Sequence, residues 1–275
     1  MKPPIRKYPR TRHIEGSRLQ PGDEDLATVA FEQIKGLSLV VEEKIDGANS
    51  AISFDENGEL LLQSRGHYLI GGIREKHFNL LKQWAATHQQ AFFNILGDRY
   101  VMYGEWVYAK HTVFYDKLPH YFLEFDILDK QTDRFLDTPS RRGLLSSLPI
   151  ESVPVLTAST FAKQKELVLL IRHSHFIGRD HLATMVQYCE NEGLDIDTAW
   201  RETDRSAMAE GLYIKHEEDG QVVGRYKYVR PEFLQTALSS ESHWLARPII
   251  PNRLARSLDD LFLPQLPPYQ EGDET

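Results

Sequence analysis

The apolar residues of this chain fall mostly in short alternating runs bounded by turn residues, with a few stretches at helical spacing. Leu37–Glu42 reads as a strand that gives out at Lys44. Ala51–Phe54 and Glu59–Gln63 are further strands joined through Asn57-Gly58, a dipeptide suited to a tight hairpin turn. Phe78, Leu81, Trp84 and Ala85 recur at helical spacing and predict an amphipathic helix over Glu75–Gln90. Strands follow near Arg99–Tyr108 and Tyr121–Leu128. Ser140–Leu148 reads as a helix, with Ser140 as its cap and Pro149 as its stop, and Phe161–Ile171 and His181–Glu192 are predicted helices too. Gly211–His216 and Val222–Val229 form a last hairpin through Glu218-Asp219-Gly220.

Most strand-to-strand links are of hairpin length. That favours an α+β architecture, antiparallel sheets flanked by helices, over a βαβ one. The pattern changes at Ser239, beyond which prolines and acids dominate around one amphipathic stretch, Leu254–Leu263. The expected organisation is a domain over residues 1–238 and an acidic, proline-rich tail over 239–275, extended or partly disordered.

Composition narrows the function classes. A chain of 275 residues can bury a sizeable core. Its longest apolar runs, such as Leu37–Val41, fall far short of the ~20 residues a membrane helix needs. The start, Lys2-Pro3-Pro4, lacks the apolar stretch of a secretory signal, so the default location is cytoplasmic. The single Cys189 excludes an internal disulfide and a multi-cysteine zinc site, and reads as a half-buried helix residue. A net charge of −8 argues against non-specific coating of nucleic acid, while leaving room for a grip on a nucleic-acid end over a small basic surface. Basic residues gather at the start, where Lys2, Arg6, Lys7, Arg10, Arg12 and Arg18 stand against Glu15. Such a stretch is either a solvated arm or a phosphate-contacting one.

Lys44-Ile45-Asp46-Gly47 stands where a strand runs into a turn, with Gly47 permitting a tight bend. Asn49 lies five residues past the lysine, and Ser64-Arg65-Gly66 closes the next hairpin. Tyr103-Gly104-Glu105-Trp106 ends another strand and Glu124-Phe125-Asp126 lies in the one after. Glu210-Gly211-Leu212-Tyr213-Ile214-Lys215 and Arg225-Tyr226-Lys227-Tyr228 complete the series. In this order the segments resemble the motifs of the covalent lysyl-nucleotidyltransferases, the superfamily of polynucleotide ligases and RNA capping enzymes. Lys-x-Asp-Gly-x-Asn, and Gly104-Glu105-Trp106 followed by His111 and Tyr115, resemble the ATP-dependent RNA ligases of RNA-editing and phage type. His13, in Thr11-Arg12-His13-Ile14, also resembles an N-terminal segment of some RNA ligases, whereas none of the eleven histidines shows a convincing metal-ligand spacing.

The resemblance implies the nucleotidyltransferase fold, ATP with Mg²⁺ or Mn²⁺ as cofactors, and Lys44 as the residue that AMP joins. An amine attacking phosphorus must be neutral, and a lysine in water has a pKa near ~10.4, so a nearby cation or burial has to lower it. The resemblance further implies that Glu210 holds metal-bound water, with Asn49 in the metal or phosphate shell at AMP, reaching the metal through water. Glu105 would meet a ribose hydroxyl, and Phe125 would stack its flat ring on adenine. Of Glu42 and Glu43, one would read the adenine edge, and Glu43 is the choice. Arg65, Lys215 and Lys227 would contact AMP, pyrophosphate or RNA phosphate. The family commonly shows two lysines one residue apart at the end; here Lys227 is kept, with Arg225 and Arg230 as candidate companions.

The same resemblance implies RNA with 5′-phosphate and 3′-OH ends as substrate and a setting in RNA repair. It also implies a separately encoded end-healing kinase-phosphatase as partner, since the sequence holds no Walker P-loop. Residues 239–275 are too few for the OB domain that DNA ligases and capping enzymes add. A minimal DNA ligase, a GTP-using capping-type enzyme and an inactive ligase-fold RNA-binding module remain as alternatives.

Overall fold

Runs rich in β-branched and aromatic residues become strands, as their patterning predicts. The computed structural model, which describes residues 2–19, 23, 25–233 and 247–266, arranges them in two sheets. The strands are β1 (Arg12–His13), β2 (Leu39–Lys44), β3 (Ala48–Phe54), β4 (Leu60–Ser64), β5 (Tyr100–Trp106), β6 (Phe122–Asp129), β7 (Arg134–Phe135), β8 (Glu151–Ser152), β9 (Val155–Ser159), β10 (Gly211–Glu218) and β11 (Gln221–Val229). One sheet runs β1-β11-β10-β2-β9 and the other β4-β3-β5-β6-β7, with β8 beside β6. Every pairing is antiparallel except β1 with β11 and β6 with β8. The helices are α1 (Asn79–Thr87), α2 (Gln89–Leu96), α3 (Thr138–Leu145), α4 (Gln164–Val168), α5 (His181–Asn191) and α6 (Ile196–Arg201). The α+β expectation holds. Among the described residues no helix is long and apolar enough to cross a membrane.

The chain passes from one sheet to the other at the end of β2, and Ile45, Asp46 and Gly47 alone separate Lys44 from β3. Gly47 is needed there for space rather than for an unusual backbone angle. A Cβ at this position would lie 2.7 Å from Val107 and 2.9 Å from the Glu105 side chain and the Trp106 carbonyl. Gly211 is under the same constraint, because its Cβ would collide with the Tyr228 carbonyl across the β10–β11 ladder.

Several elements differ from the sequence pattern for local reasons. The helix expected over Glu75–Gln90 is a 3₁₀ turn at Ile73–Phe78 followed by α1 and α2. The break falls at His88, whose Nε2 lies 2.8 Å from the Leu261 carbonyl, and α2 then continues so that Phe92 and Leu96 reach the core. α3 begins at Thr138 because Asp137, not Ser140, is the cap and accepts from the Ser140 amide at 2.9 Å. α4 covers only the middle of Phe161–Ile171. Cys189 is wholly buried in α5 beside Phe114, Met185 and Ala199, deeper than expected.

The expected tail is corrected as far as it is described; residues 239–246 and 267–275 lie outside the described residues. Residues 247–266 are mostly extended but docked on the domain rather than appended to it. Pro251 bridges to Ala109 and Leu254 to Leu118, and Leu261 is buried. Asn252, fully buried, donates to the Val107 carbonyl at 2.7 Å and accepts from the Tyr115 amide at 2.9 Å. Asn252→Ala should therefore strand a buried donor and a buried acceptor and lower the stability read by urea unfolding by about 2–4 kcal/mol. An unchanged midpoint would show that this segment is not part of the folded unit.

Candidate active site

β2 ends at the crossing between the sheets, so Lys44 projects where β10 of one sheet and β5 of the other approach each other. Register places Lys44 opposite Gly211, which brings Glu210 beside it, and the Lys44 amine donates to Glu210 Oε2 at 2.6 Å. Asp46 ties the crossing down: its carboxylate accepts from the Thr112 and Val113 amides at 2.7 and 2.8 Å, and its own amide donates to the Tyr115 hydroxyl at 2.9 Å. The signal from His111 and Tyr115 is thereby explained as support for this link, with His111 Nδ1 4.0 Å from Asp46.

A cavity of about 1350 Å³ opens around Lys44, above the ~300–1,000 Å³ usual for small-ligand sites. Asp46, Asn49, Glu105, Phe125, Glu210 and Lys227 line it, drawn from both sheets, and the loop 64–72 after β4 brings Arg65 to its rim. Phe125 meets the Tyr8 ring edge-on at 5.1 Å and lies 6.2 Å from the Tyr213 ring. Asn49 stands opposite Glu105 in the β3–β5 ladder, and its Oδ1 is buried with no hydrogen-bond donor among the described residues.

The cluster is acidic, and its charges hold one another in unusual states. Burial raises Glu105 to about 8, with Lys44 opposing and Glu210 and Asp46 reinforcing. Burial likewise raises Glu210 to about 7 against the pull of Lys44. Burial works to lower Lys44, yet the carboxylates of Glu210, Glu105 and Asp46 outweigh it, and the net shift is upward. In the ligand-free protein Lys44 is therefore an ammonium. Lys227 is shifted downward, first by burial and then by Lys44, although Asp23 holds it.

One assignment is corrected. Lys215 does not reach the cavity. It is fully buried between Glu42 at 3.0 Å and Asp126 at 3.3 Å and donates to the Phe125 carbonyl. The reason is register: Lys215 pairs with Val40, four residues along the ladder from the Gly211–Lys44 level, or about 13 Å at the usual strand rise. Glu43 lines the cavity, and its carboxylate is held there by Ser174 Oγ at 2.5 Å and His175 Nδ1 at 2.6 Å. Neither arginine accompanies Lys227. Arg225 pairs with Asp126 at 3.0 Å and stacks 3.8 Å from the Phe135 ring centre, while Arg230 pairs with Asp204.

The N-terminal stretch is docked rather than frayed. Arg10 pairs with Asp25 at 2.7 Å, and Tyr8, Pro9 and Thr11 line the cavity. Tyr8 donates to Asp126 at 2.5 Å and its oxygen is 2.5 Å from that of Tyr213. Sequence reasoning missed Tyr8, because an extended segment carries no periodicity.

Two antiparallel sheets, joined at a lysine and enclosing a cavity lined by carboxylates and an aromatic ring, define a nucleotidyltransferase fold of ligase type. The sequence model of the RNA ligase family matches residues 37–229, and the chain belongs to that family. No curated protein sequence matches it. Among solved structures, an RNA ligase from Naegleria gruberi is similar in three states. A variant with AMP and Mn gives a TM-score of 0.53 at 15% identity, covering 86% of this chain and 59% of that one. A variant with ATP and Mn gives 0.51 at 16% identity, covering 84% and 58%. The form with PPi gives 0.50 at 16% identity, covering 84% and 57%. The likeness is one of fold, and the chain spans a little over half the length of that ligase.

Two measurements test the charge arrangement. Glu105 is held neutral in the fold, so its contribution to stability is full below the ordinary Glu range and is lost as pH rises through about 8. Melting of the ligand-free protein should show wild type losing ground to Glu105→Gln from about pH 5 to about pH 8; parallel curves would mean that Glu105 ionises normally. Lys215→Met should remove one of the two buried cations from each of Glu42, which keeps Arg141, and Asp126, which keeps Arg225, and cost about 3–5 kcal/mol in urea unfolding. A change in nucleotide affinity with no loss of stability would return Lys215 to the cavity.

Proposed function

We propose that this protein is an ATP-dependent RNA ligase that carries AMP on Lys44 and joins 5′-phosphate to 3′-OH RNA ends. The observation behind this reading is convergence. Lys44, Asn49, Arg65, Glu105, Phe125, Glu210 and Lys227, far apart in sequence, border one cavity. The Naegleria enzyme of the same fold binds ATP or AMP with Mn, which supports ATP and a divalent cation here.

Phe125 offers its face to the base, and Glu105 its carboxyl to the ribose. The Lys44 ammonium gives up a proton, with Glu210 at 2.6 Å placed to receive it. The neutral Nζ then attacks the α-phosphorus: an N–P bond forms, the bond to the bridging oxygen breaks, and pyrophosphate leaves. Lys227 and Arg65 meet the growing phosphate charge. In the second step an RNA 5′-phosphate oxygen attacks the same phosphorus, and Lys44 is released as AMP passes to the RNA. In the third a 3′-OH attacks the RNA phosphate, forming the phosphodiester and expelling AMP.

The residues present fit Mg²⁺ or Mn²⁺ held through water and phosphate rather than in a protein cage. Among the described residues no three His, Cys, Asp or Glu side chains form a metal-binding group. Glu210 supplies hard oxygens, and Asn49 Oδ1 is an acceptor with no donor among the described residues, a set suited to a hydrated cation. When bound, such a cation neutralises phosphate charge and weakens the carboxylates' hold on Lys44. RNA repair, downstream of a separate kinase-phosphatase that prepares the ends, is the setting this chemistry suits.

The test is incubation of purified protein with α-³²P-ATP or α-³²P-GTP and Mg²⁺, followed by denaturing electrophoresis. Label from ATP on wild type, absent from Lys44→Ala, is expected. Label from GTP would move the reading to capping chemistry, label on the mutant would displace Lys44, and no label from either nucleotide would leave a binding module.

A further inference from the structure

A run of hydrogen bonds reaches Lys227 from the N-terminal segment, outside the region the family model matches. β1 lies parallel to β11 and sets His13 opposite Lys227. The His13 ring is fully buried, its Nδ1 2.7 Å from Ser17 Oγ and its Nε2 3.3 Å from Asp23 Oδ2. Ser17 Oγ also accepts the Val229 amide at 2.9 Å.

These contacts fix the direction of every proton. Burial, then the Lys227 charge, lowers His13, so the ring is neutral. Facing a carboxylate, Nε2 must carry the ring proton, which leaves Nδ1 to accept from the Ser17 hydroxyl. Asp23 Oδ2 then accepts from both His13 and Lys227, while Oδ1 accepts from Arg10 at 3.3 Å. Lys227 lines the cavity, whereas neither Asp23 nor His13 does.

A lysine head on a four-carbon stem is free to swing unless something holds it. Burial and the neighbouring Lys44 both favour loss of its proton, and Asp23 opposes them. We propose that Asp23, held by Arg10 and by a His13 ring that Ser17 in turn orients, is a positioning residue that fixes the Lys227 ammonium at the cavity wall where nucleotide phosphate binds. The phosphate rests on the ligase reading; the coupling of Asp23 to Lys227 does not. Asp23 touches no reacting atom and acts only through the lysine. The N-terminal segment is therefore a working part of the site.

The experiment is a double-mutant cycle on the full chain. Single-turnover labelling by α-³²P-ATP is measured for wild type, Asp23→Asn, Lys227→Met and the double variant, with melting curves for each. Asp23→Asn should slow labelling about tenfold in the wild-type background, as loss of a supporting hydrogen bond to a functional group does. In the Lys227→Met background it should cost less than about twofold, because the partner is already gone. Equal losses in both backgrounds, or none in either, overturn the proposal. A second readout needs no activity. Lysines are ¹³C-dimethylated, the Lys227 resonance is assigned with Lys227→Arg, and Asp23→Asn should move it far more than the Lys44 resonance. An unmoved Lys227 signal overturns the coupling. If wild type takes no label from any nucleotide, the ligase reading fails while the resonance still decides the proposal. Should Asp23→Asn fail to fold, Ser17→Ala is read in both assays, with a smaller effect of the same sign expected and no effect in either counting against it.

Discussion

The shortness of the link between β2 and β3 governs the rest of the site. Ile45, Asp46 and Gly47 must carry the chain from one sheet to the other, and Gly47 passes the Glu105 side chain with no space for a Cβ. Two backbone amides clamp the Asp46 carboxylate. The root of Lys44 is thereby fixed: the β2–β10 register sets Glu210 beside it, and the short crossing to β3, which pairs with β5, brings Glu105 to the same place. A longer, looser link would give the lysine reach and deprive it of the defined direction that the proposed attack needs.

Fixing the amine among acids has a chemical consequence. With Glu105, Glu210 and Asp46 around it, Lys44 is held as an ammonium in the ligand-free protein, so the resting site is a poor nucleophile. Burial at the same time keeps Glu105 and Glu210 close to the neutral range, at about 8 and about 7. An incoming cation favours their ionised forms and competes with Lys44 for them. The resting state is thus poised to respond to positive charge, which a metal–nucleotide pair delivers in the proposed reaction.

The parts legible in the sequence are those in which strand pattern and motif coincide. Lys44, Glu105, Phe125, Glu210 and Lys227 all sit on or beside strands whose alternation is clear, and all reach the cavity. Lys215 shares those strands but not the right position on them, since it lies four residues along the ladder. Motif spacing alone does not distinguish a residue in the site from one beneath it. Tyr8, Asp23 and Asn252 were illegible for another reason. They lie in segments without periodicity, and their contacts are set by tertiary docking, Tyr8 against Phe125 and Asn252 against Val107 and Tyr115. The break at His88 has the same origin, since its partner is a carbonyl far along the chain.

Beneath Phe125 lies a buried network in which Glu42, Glu124 and Asp126 face Arg141, Lys215 and Arg225. Burying that many charges is costly, and well-packed apolar residues often do as well or better for stability. The location suggests what the network supplies instead. It joins β2, β6, α3, β10 and β11, and flanks Phe125 on both sides along β6 while Lys215 takes the Phe125 carbonyl. Asp126 also accepts from Tyr8, whose ring meets Phe125 at 78°. The aromatic end of the cavity is thus fixed from below and from the side. At the other end Lys44 and Lys227 reach in on flexible stems, each steadied by a carboxylate. The proposed reaction, which passes one nucleotide through successive transfers, must keep the base still while the bonds at phosphorus change. A cavity braced at its aromatic end by this network, with each lysine of its cationic end held by a carboxylate, suits that proposed reaction.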